Sequence, residues 1–198
     1  MEAQNDETQR KPGRPRSLDR DVQIREAAWQ LIADLGCGAL TFEAIAQAAG
    51  CSRSTLYRRF PSKAELILHL LDETARAFAP GFAINAPPRE KLLAHANTLV
   101  KIYRDYRGVA FIHMFAASRS DKAIADAIGA HAAFVLPHYC EPLRALVPSA
   151  SEDVIHFAVR TLIGSVIYHV AARGDPASEQ ELDRLVGAAI YMAQSEPV

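Results

Sequence analysis

The chain is expected to fold as an all-α protein of about nine helices, a three-helix helix-turn-helix unit followed by a larger helical bundle. Three observations point there. Apolar residues recur at intervals of three and four along most of the sequence, as one buried helix face requires. The gaps between these runs carry Gly, Pro or a Ser/Thr-x-x-Glu pattern, the usual punctuation of helix ends. No stretch alternates convincingly as a strand does, and no internal repeat is visible. With 198 residues, 49% of them hydrophobic, the chain has room for one large or two small domains with a real core.

The formal net charge of −1 argues against an indiscriminate nucleic-acid binder, but its distribution is uneven. Arg10 to Lys63 holds ten basic against five acidic residues, and both flanking segments are net negative. A positive module on a mildly negative body is the footprint of localised DNA contact. Cys37, Cys51 and Cys140 are scattered with no CxxC spacing, so neither a zinc site nor a disulfide framework is indicated. The polar N-terminus does not read as a signal peptide, and no run approaches the ~20 apolar residues of a membrane span. A cytoplasmic protein without membrane partners is expected.

Taken in order, residues 1–17 lack apolar periodicity and contain Pro12, Gly13 and Pro15. They are expected to form a disordered basic arm. Gly13-Arg14-Pro15-Arg16 resembles the core of an AT-hook, in which two arginines, here Arg14 and Arg16, lie along a narrow minor groove; the alternative is a solubilising tail. The first helix spans about Leu18 to Leu35, with Ile24, Ala28, Leu31, Ile32 and Leu35 inward and Gly36 at its end. Trp29 falls beside that stripe and is assigned to packing between domains.

Thr41 to Leu66 is the most informative stretch. Thr41 can cap a short helix whose Phe42, Ile45 and Ala49 face inward, and Gly50 suits the left-handed turn that follows. Ser52 then caps a helix whose Leu56 and Phe60 point inward. Arg53, Ser54, Thr55, Tyr57, Arg58 and Arg59 are left projecting outward. Such a row of hydrogen-bonding side chains on a two-turn helix suits a DNA major groove. Ser62 to Glu65 is a capping-box pattern that sets Lys63 and helix N-terminal amides where a phosphate can dock. The DNA-binding set is therefore Arg14, Arg16, Thr41, Ser52, Arg53 and Ser54, with Thr55, Tyr57, Arg58 and Lys63.

AIAQAAG followed by CSRSTLYRRFPSKAEL, preceded by IREAAWQLIADLG (Ile24 to Gly36), resembles the DNA-binding domain of TetR-family transcriptional regulators. The resemblance covers roughly a quarter of the chain, collinear and without gaps. It implies a DNA-binding domain over 18–66 and a ligand-binding and dimerisation domain over 67–198, with helices eight and nine forming the dimer. It also implies a homodimer on palindromic double-stranded operator DNA. Most members are repressors released by a small hydrophobic or amphipathic effector, so that role is expected here. The alternative is a constitutive dimeric repressor with no effector and a solid core.

The body is read as follows. A fourth helix runs from Lys63 to about Phe78 with Leu66, Ile67, Leu70 and Leu71 on one side, and His69 as an ordinary linker-face residue. A turn-rich break at Ala79–Pro88 leads into a fifth helix, Arg89 to Arg107. A bend at Gly108 leads into a sixth, Val109 to Ala117, and a seventh opens between Ser118 and Asp121. Pro137 is expected to kink or break the seventh. Aromatic residues with a few polar tips are the usual lining of a small-molecule cavity. Tyr103, Phe111, His113 and Met114, with Phe115, and His131, Phe134 and His138 are the candidates; a solid core with buried histidines is the competing reading.

Ser149 to Glu152 and Ser178 to Glu181 both read as capping boxes opening the last two helices. The apolar excess on Ile163, Val166, Ile167, Leu185, Ala189 and Ile190 marks the expected dimer interface. No phosphate-binding glycine loop, His-Glu-x-x-His or Gly-x-Ser-x-Gly occurs. No catalytic residue, cofactor or metal is assigned.

Overall fold

In a computed structural model the described residues are 16–76, 85–104, 106–173, 175 and 177–195. Among them there is no strand, and the helices are α1 (Arg16–Ala39), α2 (Phe42–Ala48), α3 (Arg53–Tyr57), α4 (Lys63–Arg76), α5 (Pro88–Tyr103), α6 (Tyr106–Ser118), α7 (Lys122–Leu146), α8 (Glu152–Ile167) and α9 (Glu179–Gln194). A π-helical turn, Tyr168–Ala172, prolongs α8. The all-α expectation holds. No helix among the described residues is long and apolar enough to cross a membrane.

Local chemistry sets most helix starts. Thr41 accepts from the Ala44 amide at 3.1 Å and Ser52 from the Thr55 amide at 3.2 Å, each satisfying an otherwise orphan N–H. Pro88 occupies the first turn of α5, where its missing donor costs nothing. Ser178 and Glu181 form a complete capping box on α9. At α8 the box expected from Ser149 is not made. Ser151 is the cap instead, and Glu152 takes a bidentate pair with Arg144 at 2.7 and 2.8 Å.

Three sequence expectations fail for identifiable reasons. Leu35, assigned to the buried stripe of α1, is 62% exposed; it stands just before Gly36, whose φ of 76° and ψ of 170° interrupt the helix. A bend was expected at Gly108, but Gly108 is buried inside α6 and the break falls between Tyr103 and Tyr106. Finally, of the kink or break expected at Pro137, the break is not made; α7 continues through Pro137 and Pro142 to Leu146.

Packing joins the first helix to the body. The most extensive helix pair is α1 with α6, while α4 packs on α7 and α5 on α7, α8 and α9. Ile24, Ala28, Trp29 and Ile32 of α1 are essentially buried. His113 of α6 lies where a Cβ on Gly36 would approach its ring at 3.5 Å. The α1–α6 seam also carries a polar clamp, in which the Tyr106 hydroxyl and the Arg107 guanidinium both donate to the Glu26 carboxylate. Arg25 pairs with Glu73 of α4 at 2.7 Å. These contacts hold the first three helices against the body.

Candidate nucleic-acid interface and an apolar cavity

The α2–α3 hairpin is built by short-range ties. Phe42, Ile45 and Ala46 of α2 and Leu56 of α3 are buried, with Phe60 beneath them. Gly50 turns the chain at φ 60°. Arg20 of α1 donates to the carbonyls of Ala49 and Gly50 at 3.1 and 3.0 Å, setting a cation on the C-terminal end of α2, where carbonyls lack partners. No sequence pattern singled out Arg20; its partners lie far along the chain, beyond any local spacing rule.

Facing outward, Ser52, Arg53, Ser54, Tyr57 and Arg58 are exposed. The Ser52 hydroxyl lies 2.9 Å from both the Ser54 and Thr55 hydroxyls, which presents three hydroxyls in a fixed group. Tyr57 is 61% exposed, and its ring meets Phe42 edge-on at 4.8 Å, so the hydroxyl end is aimed by a buried neighbour. Arg53 makes only a loose 3.7 Å pair with Glu43, both side chains well exposed.

Two cations read as outward-facing are otherwise engaged. Arg59 is half-buried, paired with Asp21 of α1 and donating to the Thr55 carbonyl at 3.4 Å; it is a brace between α1 and α3. Lys63 is half-buried and donates to the Cys37 carbonyl at 3.3 Å, so a phosphate contact requires it to leave that carbonyl. Thr41 is exposed at the start of α2, but its side-chain oxygen is occupied by the cap. Arg14 and the side chain of Arg16 lie outside what the structure describes, as does the arm as a whole.

The body contains an apolar cavity of about 350 Å³ between α5, α6, α7 and α8. Tyr103 and Phe111 face it, their rings 4.4 Å apart, and Phe115 meets Phe111 edge-on at 4.7 Å. His131 closes the same wall. Ile128 and Val135 of α7 and Ile163 and Ile167 of α8 complete the apolar lining, with Arg160 at the edge.

The cavity has one polar feature on its floor. The Tyr103 hydroxyl and His131 Nε2 are 3.0 Å apart and buried. Burial pushes the Tyr103 hydroxyl above its ordinary range, and the Thr74 side chain of α4 opposes this. Burial also lowers the His131 pKa, against the Leu71 backbone and Asp72 of α4, so the imidazole is neutral at pH 7. Among the described residues no partner meets Nδ1 of His131 with full hydrogen-bond geometry. The Thr74 hydroxyl donates to the Leu71 carbonyl at 2.7 Å. The floor thus rests on the helix that follows the hairpin.

Four residues expected in the cavity are elsewhere. His113 packs on Gly36 in the α1–α6 seam. Met114 is fully buried but is not part of the lining. Phe134 is 49% exposed, edge-on to His138 at 5.4 Å, and His138 stacks against buried His95 at 5.5 Å. The seventh helix has one face toward the cavity and another toward α5, and spacings of three and four cannot tell them apart. His95 itself was not singled out: burial, His138 and Lys91 together lower its pKa to about 4.

The expected dimer residues also divide. Val166 and Ala189 are fully buried within the protomer. Ile163 and Ile167 line the cavity, and Leu185 and Ile190 are half-buried against the core. What α8, the π turn and α9 leave outside is Phe157, Tyr168 and Tyr191, at 63%, 59% and 70% exposure.

Residues 24–70 match the family model described as bacterial regulatory proteins, tetR family. The chain is 23% identical over 184 residues to the uncharacterized HTH-type transcriptional regulator YdeS of Bacillus subtilis, covering 90% of this chain and 91% of that protein. It is 25% identical over 174 residues to the DNA-binding transcriptional repressor TetR of Mycobacteroides abscessus, covering 86% and 92%. A TetR-family regulator from Rhodococcus sp. superposes with a TM-score of 0.70 at 17% identity, over 89% of this chain and all of that one. These findings support the reading of the chain as a TetR-family transcriptional regulator. It is a DNA-binding regulator, and its relatives are regulators, not enzymes. The matched span runs from α1 into α4 and includes the α2–turn–α3 hairpin, and the residues that line the cavity lie outside it.

Proposed function

We propose that this TetR-family protein is a homodimeric repressor that leaves a palindromic operator when a small hydrophobic or aromatic molecule fills the cavity between α5 and α8. Arg53, Ser54, Thr55, Tyr57 and Arg58 enter the major groove, with Ser52 at the helix start. One three-helix unit makes few base contacts, and a two-fold pair doubles them on a symmetric site. The exposed Phe157, Tyr168 and Tyr191 are the outward aromatic surface of α8 and α9, and their burial against a second copy is the dimer expected here. The domain division in this reading is 18–66 for DNA and 67–198 for ligand and partner.

The observation that carries the effector reading is the cavity itself. An apolar void of this size in a close-packed interior forfeits dispersion contacts along its whole lining, and a ligand restores them. Its floor, Tyr103 and His131, rests on α4, and its Phe111 wall belongs to α6, the helix clamped to α1 through Glu26. A ligand shifts the DNA-binding equilibrium only by its differential affinity for two arrangements of these helices. The push runs from α6 into α1, since α6 packs chiefly there.

The test is selection of the operator from random duplexes, followed by gel shift under a panel of hydrophobic and aromatic compounds. At least one compound is expected both to raise the melting temperature and to release the operator. If none stabilises the protein, it is a constitutive repressor.

A further inference from the structure

We infer that the effector is an aromatic monoanion, an aryl carboxylate or its equivalent, held by Arg160 at the edge of the cavity. This rests on the effector reading above and specifies its chemistry. Among the described residues Arg160 is the one charged side chain lining the cavity. It is exposed, and no carboxylate among the described residues pairs with it, unlike Arg144 of α7, which Glu152 holds in a bidentate pair.

Arg160 shares a helix face with Ile163, Gly164 and Ile167, spaced three, four and seven residues on, so its stem leads into the apolar lining. Among the described residues of the protomer a Cβ at Gly164 would meet nothing within 4 Å, which leaves the edge beside the guanidinium open in the protomer. A free guanidinium bordering an apolar chamber selects an amphipathic anion. The body desolvates inside while the head makes a charge-assisted, bidentate-capable contact in partial contact with water. A cationic ligand meets like charge at that edge and no carboxylate among the described residues of the lining.

The lining also fixes the shape of the body. Tyr103, Phe111, Phe115 and His131 form an aromatic wall, with tilted or edge-on rings of the kind that accommodates another ring. The aliphatic side is Ile128 and Val135 opposite Ile163 and Ile167. A volume of 350 Å³ holds about a dozen water-sized groups, the size of a two-ring acid.

The test uses the full-length protein and three probes of one shape: naphthoate, naphthamide and naphthylmethylamine. Affinity is measured by calorimetry, with thermal shift alongside. The wild type is expected to bind naphthoate about ten-fold or more tighter than the amide, the difference one charge-assisted contact makes, and the amine most weakly. Arg160→Gln is expected to erase the preference for the acid while leaving amide affinity within about two-fold. Ala132→Phe, which fills the chamber from α7, is expected to abolish binding of all three; if it does not fold, Gly164→Leu closes the edge instead. Equal or tighter binding of the amide or amine by the wild type overturns the anionic class and leaves the effector reading standing. So does an acid preference that survives in Arg160→Gln. Failure of all three probes, together with failure of the wider panel above, overturns both.

Discussion

The hairpin proposed to meet DNA and the chamber that lies behind it are built on opposite principles. In the hairpin, side chains reach a short way along the chain: Thr41 to Ala44, Ser52 to Thr55, Tyr57 over Phe42. Its core is small, and its cations divide into braces (Arg20, Arg59) and exposed groups held loosely or not at all by other side chains among the described residues (Arg53, Arg58). In the body, residues twenty-eight or forty-four apart make the decisive bonds, Tyr103 to His131 and Tyr139 to the His95 carbonyl. The feature proposed as functional there is what four helices leave unfilled. A DNA reader needs a rigid outer surface; a sensor needs a vacancy.

The largest effect that tests this contrast is on stability. Leu56 is fully buried in a helix of five residues, so Leu56→Ala is expected to cost ~2–5 kcal/mol. Leu136→Ala, on the chamber wall, is expected to fall below ~2 kcal/mol because part of its surface already lacks contacts. Urea denaturation of both variants that gives equal losses would remove the distinction between filled and unfilled regions.

Next comes pH, which should strike the body and spare the hairpin. His95 is buried and its folded pKa is about 4, chiefly through burial, then His138 and Lys91, against an ordinary value of 6.5. The unfolded chain therefore binds a proton that the folded chain refuses. Stability from this site is complete above pH 6.5 and is lost as pH falls toward 4, by at most about 3 kcal/mol. His95→Leu is expected to flatten that part of the profile; denaturation midpoints that drop between neutral pH and the folded pKa as steeply as in the wild type would assign the loss to other groups.

Affinity for DNA is expected to follow the division among the cations. Arg53→Ala should weaken operator binding by ~1–3 kcal/mol if it reads a base, with the fold unchanged. Arg58→Ala should weaken binding evenly across sequences and lower the salt slope by about 1. Arg59→Ala should appear first as lost stability, since Asp21 would be left unpaired. Gel shifts over a salt series, with melting curves, separate the three, and an Arg53 variant that binds the selected operator normally would displace it from the groove.

The smallest effect concerns the chamber floor. Tyr103→Phe removes the partner of His131 Nε2 and is expected to cost about 1–2 kcal/mol of stability. Ligand binding is expected to deepen that loss, because it keeps water from the unpaired imidazole nitrogen. A variant as stable as the wild type would mean that water already serves the imidazole.

The sequence made the hairpin legible because its determinants are contiguous. A cap, a stripe and a left-handed glycine sit within one short stretch, and Thr41, Ser52, Gly50, Leu56 and Phe60 all stand where their residue types demand. The chamber was half legible. Tyr103, Phe111, Phe115 and His131 are aromatic or polar enough to attract notice, but aliphatic lining from α7 and α8 looks like any core. Ile163 and Ile167 were taken for dimer contacts because apolar excess does not say which side it faces. Periodicity also carried Leu35 inward and sent Arg59 outward; one was turned out at the Gly36 joint and the other was captured by Asp21, an acid thirty-eight residues earlier. Helix geometry is local information, whereas pairing across helices is not.

The Gly36 joint has a stereochemical consequence. Its φ of 76° and ψ of 170° lie in a region that L-residues scarcely enter, and they are the mirror image of the extended backbone that L-residues favour. The joint therefore has the torsions of a D-amino acid, and glycine fills the place because it has no handedness. In a protein assembled by chemical ligation, D-alanine in place of Gly36 is expected to keep the last turn of α1 where it is and, by narrowing the unfolded ensemble, to raise the melting temperature slightly. The ordinary Gly36→Ala substitution, with its L-configured side chain, would have to rotate the joint, displacing the residues 37–40 that lead into the DNA-reading hairpin.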